Sequence, residues 1–168
     1  MYAGDYANAQ REFESFLALG HGGWREYVLL LLVQGKADEA LAYIESVDGR
    51  EEWDELGHRA SKAMALFSLG RTDEADAIFE ELSRSDYYDR RALMLFLAEI
   101  AAWTGNDDYA FEKLFEMAAT GFSYLQRRTF SPVWQNLHDD PRWLEYRDFN
   151  GMSAERLDAI EFNSNLPE

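Results

Sequence analysis

Three histidines, His21, His58 and His138, are the side chains in this sequence that titrate near neutral pH and could serve as a base or a nitrogen ligand. His138 stands directly before Asp139 and Asp140, and this cluster is the best candidate for a metal site. The two aspartates also precede a proline, where they would cap the first turn of a following helix without any ion. We therefore expect no metal and no cofactor.

The sequence lacks the short motifs that mark common catalytic sites. It has no cysteine, and no Gly-rich phosphate loop, serine nucleophile elbow or zinc-binding helix motif occurs. Pairs of acidic residues do recur, and they could act as acid and base. The first turn of a helix also favours acidic side chains, however, because they meet the positive end of the helix dipole. We expect this structural role for all three pairs, and no enzymatic activity unless a catalytic set is assembled across several helices. The pairs are Asp38 and Glu39, Asp73 and Glu74, and Asp107 and Asp108.

The charge balance restricts the class of partner. With 32 acidic and 16 basic residues, the formal net charge is −16, which repels phosphate backbones and anionic lipid surfaces. The basic doublets at 90–91 and 127–128 do not form the continuous basic stripe that nucleic-acid recognition requires. The longest apolar run, residues 27–33, is far shorter than the about 20 residues that cross a bilayer. We expect no nucleic-acid partner, no membrane insertion and a cytoplasmic location, with a periplasmic part of a membrane-anchored regulator as the alternative.

Any metal or catalytic site would be positioned by the helices that a repeated pattern predicts, a pattern of glycine, alanine and a bulky apolar residue. The alanine follows the glycine by five residues, and the bulky residue follows the alanine by four. Successive glycines are 31, 35 and 35 residues apart, a spacing typical of stacked supersecondary units that complete one another's cores. The four units are Gly4/Ala9/Phe13, Gly35/Ala40/Ile44, Gly70/Ala75/Phe79 and Gly105/Ala110/Leu114.

Each glycine is predicted to end one helix and begin the turn to the next. Apolar residues with helical spacing precede three of the glycines, in residues 24–33, 60–69 and 92–103, and predict the first helix of each hairpin. Gly4 leaves no room for such a helix. The array therefore either begins with a lone capping helix or has lost residues before Met1, and we favour the loss.

After residue 120 the period stops and a different architecture is expected. Pro132 and Pro141 can each start a short helix, because a proline at the first helical position loses no hydrogen bond. A last helix is predicted from Ser153 to about residue 162, and the Asn150-Gly151 pair is a helix stop. The side chains expected to cover the last repeat are Trp134, Leu137, Trp143, Leu144 and Tyr146.

The repeat resembles the tetratricopeptide repeat (TPR), a helix-turn-helix unit of about 34 residues. With each glycine at the central turn, Trp24 falls on the aromatic position of the first helix, and Ala63 and Ala98 fall on its small position. The proline that often ends the family's second helix is missing, which leaves the inter-repeat turns open. The resemblance implies an all-α fold, a TPR-like α-α superhelix built as a right-handed solenoid. About three and a half helical hairpins would occupy residues 1–120, and residues 121–168 would form a C-terminal helical cap of the same domain.

The tail carries a second resemblance, to the C-terminal ends of TPR regions in bacterial signalling proteins. Such ends often have an apolar residue and Leu before Asp-Pro-Arg, followed by an aromatic residue and a glycine. This likeness implies a dimerisation or sensory domain of a longer transcription or signalling regulator. The matching positions are Trp134, Leu137, Asp140-Pro141-Arg142, Trp143 and Gly151.

The TPR resemblance also implies which side chains face the concave groove of the superhelix. Family members that grip a peptide carboxylate use several Lys, Asn and Arg residues there, and Arg25 is the one match. We expect a non-enzymatic module that binds an apolar peptide or helix, oriented by Arg25 and Glu99. Alternatively, the groove is filled by the chain's own C-terminal helices or by a second copy in a homodimer. The candidate partner-binding residues are Arg25, Leu29, Leu32, Met64, Phe67, Leu95 and Glu99.

Overall fold

The computed structural model describes residues 6–18, 23–46, 52–121 and 131–159 of the chain, and these residues form helices and turns with no strand among them. A short 3₁₀ helix, η1 (Pro132–Leu137), precedes two short α-helices, α8 (Pro141–Phe149) and α9 (Ala154–Asp158). The prediction of an all-α protein is confirmed. The helices before η1 are α1 (Tyr6–Ala18), α2 (Trp24–Val33), α3 (Ala37–Ser46), α4 (Glu52–Ser68), α5 (Thr72–Ser83), α6 (Arg90–Thr104) and α7 (Asp107–Ala119).

One glycine turn joins the two helices of each hairpin, and the three turns have the same geometry. Gly35, Gly70 and Gly105 have φ values of 72°, 74° and 80°, a left-handed region that a side chain makes costly. In each turn the residue after the glycine donates its amide to a carbonyl in the last turn of the preceding helix, which closes the helix end. These bonds are Lys36 N to Leu31 O at 2.9 Å, Arg71 N to Leu66 O at 2.9 Å and Asn106 N to Ala101 O at 2.8 Å.

Three of the four alanines of the repeat lie inside the hairpins, whereas Ala9 of α1 is only partly buried. Ala40, Ala75 and Ala110 are at most 1% exposed, because a small side chain lets the second helix of a hairpin approach the first closely. The bulky position is fully buried at Ile44 and Leu114. The acidic pairs stand in the first turns of α3, α5 and α7, as predicted.

Neighbouring hairpins pack through their first helices and through the second helix of the preceding hairpin. Helix α4 lies between α2 and α6, and it also contacts the second helices α3 and α5. Helix α1 packs against α2. The whole middle of α6 is buried, whereas α5 buries only Ala75 and Leu82. Helix α6 is therefore the most deeply buried of the described helices.

Helix α4 begins at Glu52, well before the predicted start at residue 60. Leu56 is 3% exposed and belongs to a core cluster with Leu93, Phe96 and Leu97 of α6. Its apolar side chain thus continues the buried face of α4 toward the amino end. The other two first helices agree better, since α2 spans residues 24–33 and α6 exceeds the predicted range by a few residues.

The C-terminal segment contains short helices, as predicted. Pro132 and Pro141 begin η1 and α8, and Gly151, with a φ of 74°, ends α8. The buried side chains among the five expected to cover the last repeat are Trp134, Leu137, Trp143 and Tyr146.

Leu144 contradicts this part of the prediction, because its side chain is 61% exposed. Helix α8 packs against α7 with the face that carries Trp143 and Tyr146, three residues apart. A step of one residue rotates about 100° around a helix, so Leu144 lies away from that face.

The last helix begins after Ser153, whose hydroxyl accepts the backbone N–H of Arg156 at 3.3 Å. Its predicted end near residue 162 lies outside the described residues. The same holds for Gly4, for His21 and for the doublet at 127–128.

Candidate functional site

The seven predicted partner-binding residues lie on α2, α4 and α6, the three adjacent first helices. We refer to these seven residues as the first-helix surface. The buried side chains form two clusters, the one around Leu56 and a larger one. Leu32, Met64 and Leu95 are 3% to 5% exposed and belong to the larger cluster. Leu29 and Phe67 are partly buried and pack at the edge of that cluster. Only part of the surface is accessible, and its role in binding stays a prediction.

The two charged members of the first-helix surface bind each other. Arg25 Nη2 donates to Glu99 Oε2 at 2.7 Å, with the side chains 14% and 4% exposed. The guanidinium lies 4.5 Å from the centre of the Phe96 ring. On its way the Arg25 side chain passes Gly57 of α4 so closely that a Cβ there would come within 2.7 Å of Arg25 Cδ. The pair therefore joins α2 to α6 across α4. Each of the two charges is bonded to the other within the layer of first helices.

The 3₁₀ helix η1 lies against α6 and α2. Val133, Trp134 and Leu137 are buried in the same core cluster as the apolar members of the first-helix surface. The side chain of Asn136 donates Nδ2–H to the carbonyl of Ala102 at 3.3 Å. A segment of the chain's own C-terminal part thus packs on two of the three first helices.

A cleft of about 480 Å³ opens beside η1. The described residues that line it include Leu32, Val33, Trp103 and Pro132, together with the carboxamides of Gln135 and Asn136 from η1. Tyr6 of α1 also lines the cleft. The Trp103 indole N–H donates to Ser68 Oγ at 2.9 Å, which fixes the ring. The repeat pattern gave no signal for this cleft, because η1 lies beyond the last repeat and folds back onto α2 from a hundred residues away.

The candidate metal cluster near residue 138 caps a helix. Asp140 Oδ1 accepts the backbone N–H of Arg142 at 2.9 Å, and the guanidinium of Arg142 donates to the same carboxylate at 2.7 Å. These bonds from Arg142 lower the pKa of Asp140. Arg142 also donates to Asp108 at 2.8 Å and so ties α8 to α7. Within the described ranges, no three His, Cys, Asp or Glu side chains are grouped to hold a metal ion.

The two described histidines are engaged in packing. The His138 ring lies 4.8 Å from that of Trp143, and burial, together with the positive charge of Arg147, lowers its pKa. His58 Nε2 lies 2.8 Å from the carbonyl oxygen of Ile44, which links α4 to α3.

Comparison with models of protein families, with curated proteins and with solved structures finds no match for this chain. The structure shows stacked helical hairpins. Membership of the TPR family stays a prediction based on the repeat pattern. None of the described helices is long and apolar enough to cross a membrane. The cytoplasmic location also stays a prediction.

Proposed function

We propose that this chain is a non-enzymatic protein-interaction module that binds an apolar peptide segment on its first helices, in the manner of a TPR-like superhelix. The observation that carries the proposal is the incomplete burial of apolar side chains on three adjacent helices, α2, α4 and α6. Leu29 and Phe67 are partly buried members of the first-helix surface, and Trp103 lines an open cleft beside it. Partly exposed apolar side chains that border a concave opening are typical of ligand sites.

The members of the first-helix surface have different parts in this proposal. Leu32, Met64 and Leu95 support the surface from beneath, because they are buried in the core. Arg25 and Glu99 hold α2 and α6 at a fixed separation through their ion pair. Contact with a partner is assigned to the two members that remain partly accessible, Leu29 and Phe67.

The net charge of −16 supports a partner that is neutral or basic. Complementary charge speeds the encounter of two molecules and excludes partners of like charge. Nucleic acids and anionic membranes are disfavoured on the same ground.

A random linear peptide library displayed on phage and selected against the whole chain tests the proposal. We expect selected peptides rich in Leu, Ile and aromatic residues. Leu29→Gln and Phe67→Gln should each weaken their binding about tenfold, since burial of one such side chain contributes about 1.5–3 kcal/mol. The control is Tyr88→Gln, because Tyr88 is an aromatic residue outside the first-helix surface and 72% exposed. Peptides without an apolar consensus, or affinities unchanged by both substitutions, would count against the proposal.

A second candidate function is dimerisation within a longer signalling regulator. The exposed face of α8 favours it, because Leu144 and Phe149 are 61% and 60% exposed. Sedimentation velocity over a range of concentrations separates the two candidates. A dimer that Leu144→Glu dissociates supports the second, and a monomer at every concentration refutes it.

A further inference from the structure

The one Asn-Gly pair of the sequence, Asn150-Gly151, stands at the carboxyl end of α8. Such a pair is chemically labile, because the backbone nitrogen of the glycine can attack Cγ of the asparagine and glycine has no Cβ to hinder the approach. The new N–Cγ bond closes a succinimide ring, while the bond from Cγ to Nδ2 breaks and the amide leaves as ammonia with the proton of the glycine nitrogen. Water then adds across either ring C–N bond and gives aspartate or isoaspartate.

The folded backbone holds the two reacting atoms of this pair apart. Ring closure requires the Gly151 nitrogen to lie on the same side of the Cα–C bond of Asn150 as its Cβ. The ψ angle of Asn150 is 7°, so the Gly151 nitrogen is nearly eclipsed with the backbone nitrogen of Asn150, about a third of a turn from Cβ. The closed helix end is therefore an unreactive geometry.

Both reacting groups are also hydrogen-bonded within α8. Asn150 donates Nδ2–H, part of the leaving group, to the Tyr146 carbonyl at 2.8 Å. The attacking group, the N–H of Gly151, donates to the Asp148 carbonyl at 3.0 Å. Rotation about the Cα–C bond of Asn150 breaks the bond to Asp148, and turning the amide toward Gly151 moves Nδ2 away from Tyr146. The reaction therefore requires the helix end to open.

Arg147 and Met152 close a loop that contains the Asn-Gly pair. The backbone N–H of Met152 donates to the Arg147 carbonyl at 2.8 Å, a bond of the kind that closes a helix around a glycine of positive φ. In the other direction, Arg147 Nη2 donates to the Met152 carbonyl at 3.2 Å. The two residues are thus linked once through the backbone and once through the arginine side chain.

We infer that Asn150 is a modification site that converts to aspartate or isoaspartate when the carboxyl end of α8 opens. Isoaspartate adds a methylene group to the main chain before Gly151, so the amides of Gly151 and Met152 cannot recover their hydrogen bonds in the same register. Either product also places a carboxylate at the negative end of the helix dipole. Conversion therefore makes a transient opening permanent, and it does so independently of the proposed function.

Peptide mass spectrometry of the whole chain, incubated at mildly alkaline pH with and without urea, measures the conversion. In urea that unfolds the chain Asn150 should convert readily, whereas Asn136, which the bulky Leu137 follows, is the internal control and should react far more slowly. Without urea the conversion of Asn150 should be at least about tenfold slower, because only the open fraction of molecules reacts.

Arg147→Ala tests whether the end of α8 is the gate. Without urea this variant should convert about three- to tenfold faster than wild type, because it loses a hydrogen bond that keeps the loop closed, and in urea the two should convert equally fast. The matched control is Arg84→Ala on α5, which removes an arginine whose side chain is 75% exposed and should convert at the wild-type rate. Circular dichroism verifies that each variant keeps its helices.

Amide hydrogen exchange of the wild-type chain supplies a test that needs no variant. Folding should slow the exchange of the Gly151 and Met152 amides by the same factor as it slows the conversion of Asn150, since one opening exposes all of them. Absence of conversion in urea, or equal rates with and without urea, would overturn the inference. So would a rate that Arg147→Ala leaves unchanged, or a slowing factor that differs from that of these two amides.

Discussion

Gly57 provides a sensitive test of how the three first helices are held together. An ideal Cβ at this position would lie 2.7 Å from Cδ and 3.0 Å from Nε of Arg25. Carbon atoms in contact are ordinarily about 3.5–4.0 Å apart, so the arginine would have to move. It is not free to do so, because it is bonded to Glu99 at 2.7 Å and lies over the Phe96 ring.

The substitution Gly57→Ala therefore has two opposed effects on the free energy of unfolding. Alanine in place of a helical glycine contributes about 1 kcal/mol of stability. Added bulk in a packed contact costs about 1–3 kcal/mol. In the wild-type background we expect a net loss of up to about 2 kcal/mol. In an Arg25→Ala, Glu99→Gln background, which lacks the arginine and leaves no buried carboxylate unpaired, the same substitution should stabilise by about 1 kcal/mol.

Urea unfolding followed by tryptophan fluorescence measures this coupling. The four proteins of the cycle should give an interaction energy of about 1–3 kcal/mol, in the range usual for residues in contact. Gly70→Ala is the matched control, because a Cβ there meets no atom within 4 Å and the cost comes from a φ of 74° alone. Gly70→Ala should cost about 1–2 kcal/mol in both backgrounds. An equal effect of Gly57→Ala in the two backgrounds would refute the packing argument.

Three further predictions concern the C-terminal segment. Arg142 lowers the pKa of Asp140, so the stability that the pair contributes is present above the ordinary pKa of 3.8 and is lost as the pH falls further. Asp140→Asn should therefore be less stable than wild type at neutral pH but not in strong acid, as measured by urea unfolding at several pH values. Burial lowers the pKa of His138, so the unfolded chain binds a proton more readily; stability should fall as the pH drops through the ordinary value of 6.5, and His138→Gln should flatten that part of the profile. Trp134→Ala should cost about 3–5 kcal/mol because the side chain is 2% exposed, whereas Leu144→Ala should change the unfolding free energy by less than about 0.5 kcal/mol. A small effect of Trp134→Ala would show that η1 does not belong to the core.

Features that depend on local backbone chemistry could be predicted from the sequence. The turns at Gly35, Gly70 and Gly105 follow from the freedom of glycine at positive φ, and they repeat because the hairpins repeat. Pro132 and Pro141 start helices because proline suits the first helical position. These signals act within a few residues, so a single sequence contains them.

Features that depend on which side chains meet across helices could not be predicted in this way. The ion pair of Arg25 with Glu99 joins residues 74 positions apart, and no spacing rule relates them. The cleft escaped prediction for the same reason, since the described residues that line it come from α1, α2, α6 and η1. Leu144 was misplaced because apolar composition indicates that a helix has a buried face but not how wide that face is.

Mapping the binding surface by NMR tests the central proposal most directly. Backbone amide shifts of the whole chain would be followed while a selected library peptide is added. Binding on the first helices predicts that the largest shifts fall on α2, α4 and α6, around Leu29, Phe67 and Trp103. Shifts confined to the second helices α3, α5 and α7, or to the exposed face of α8, would contradict it.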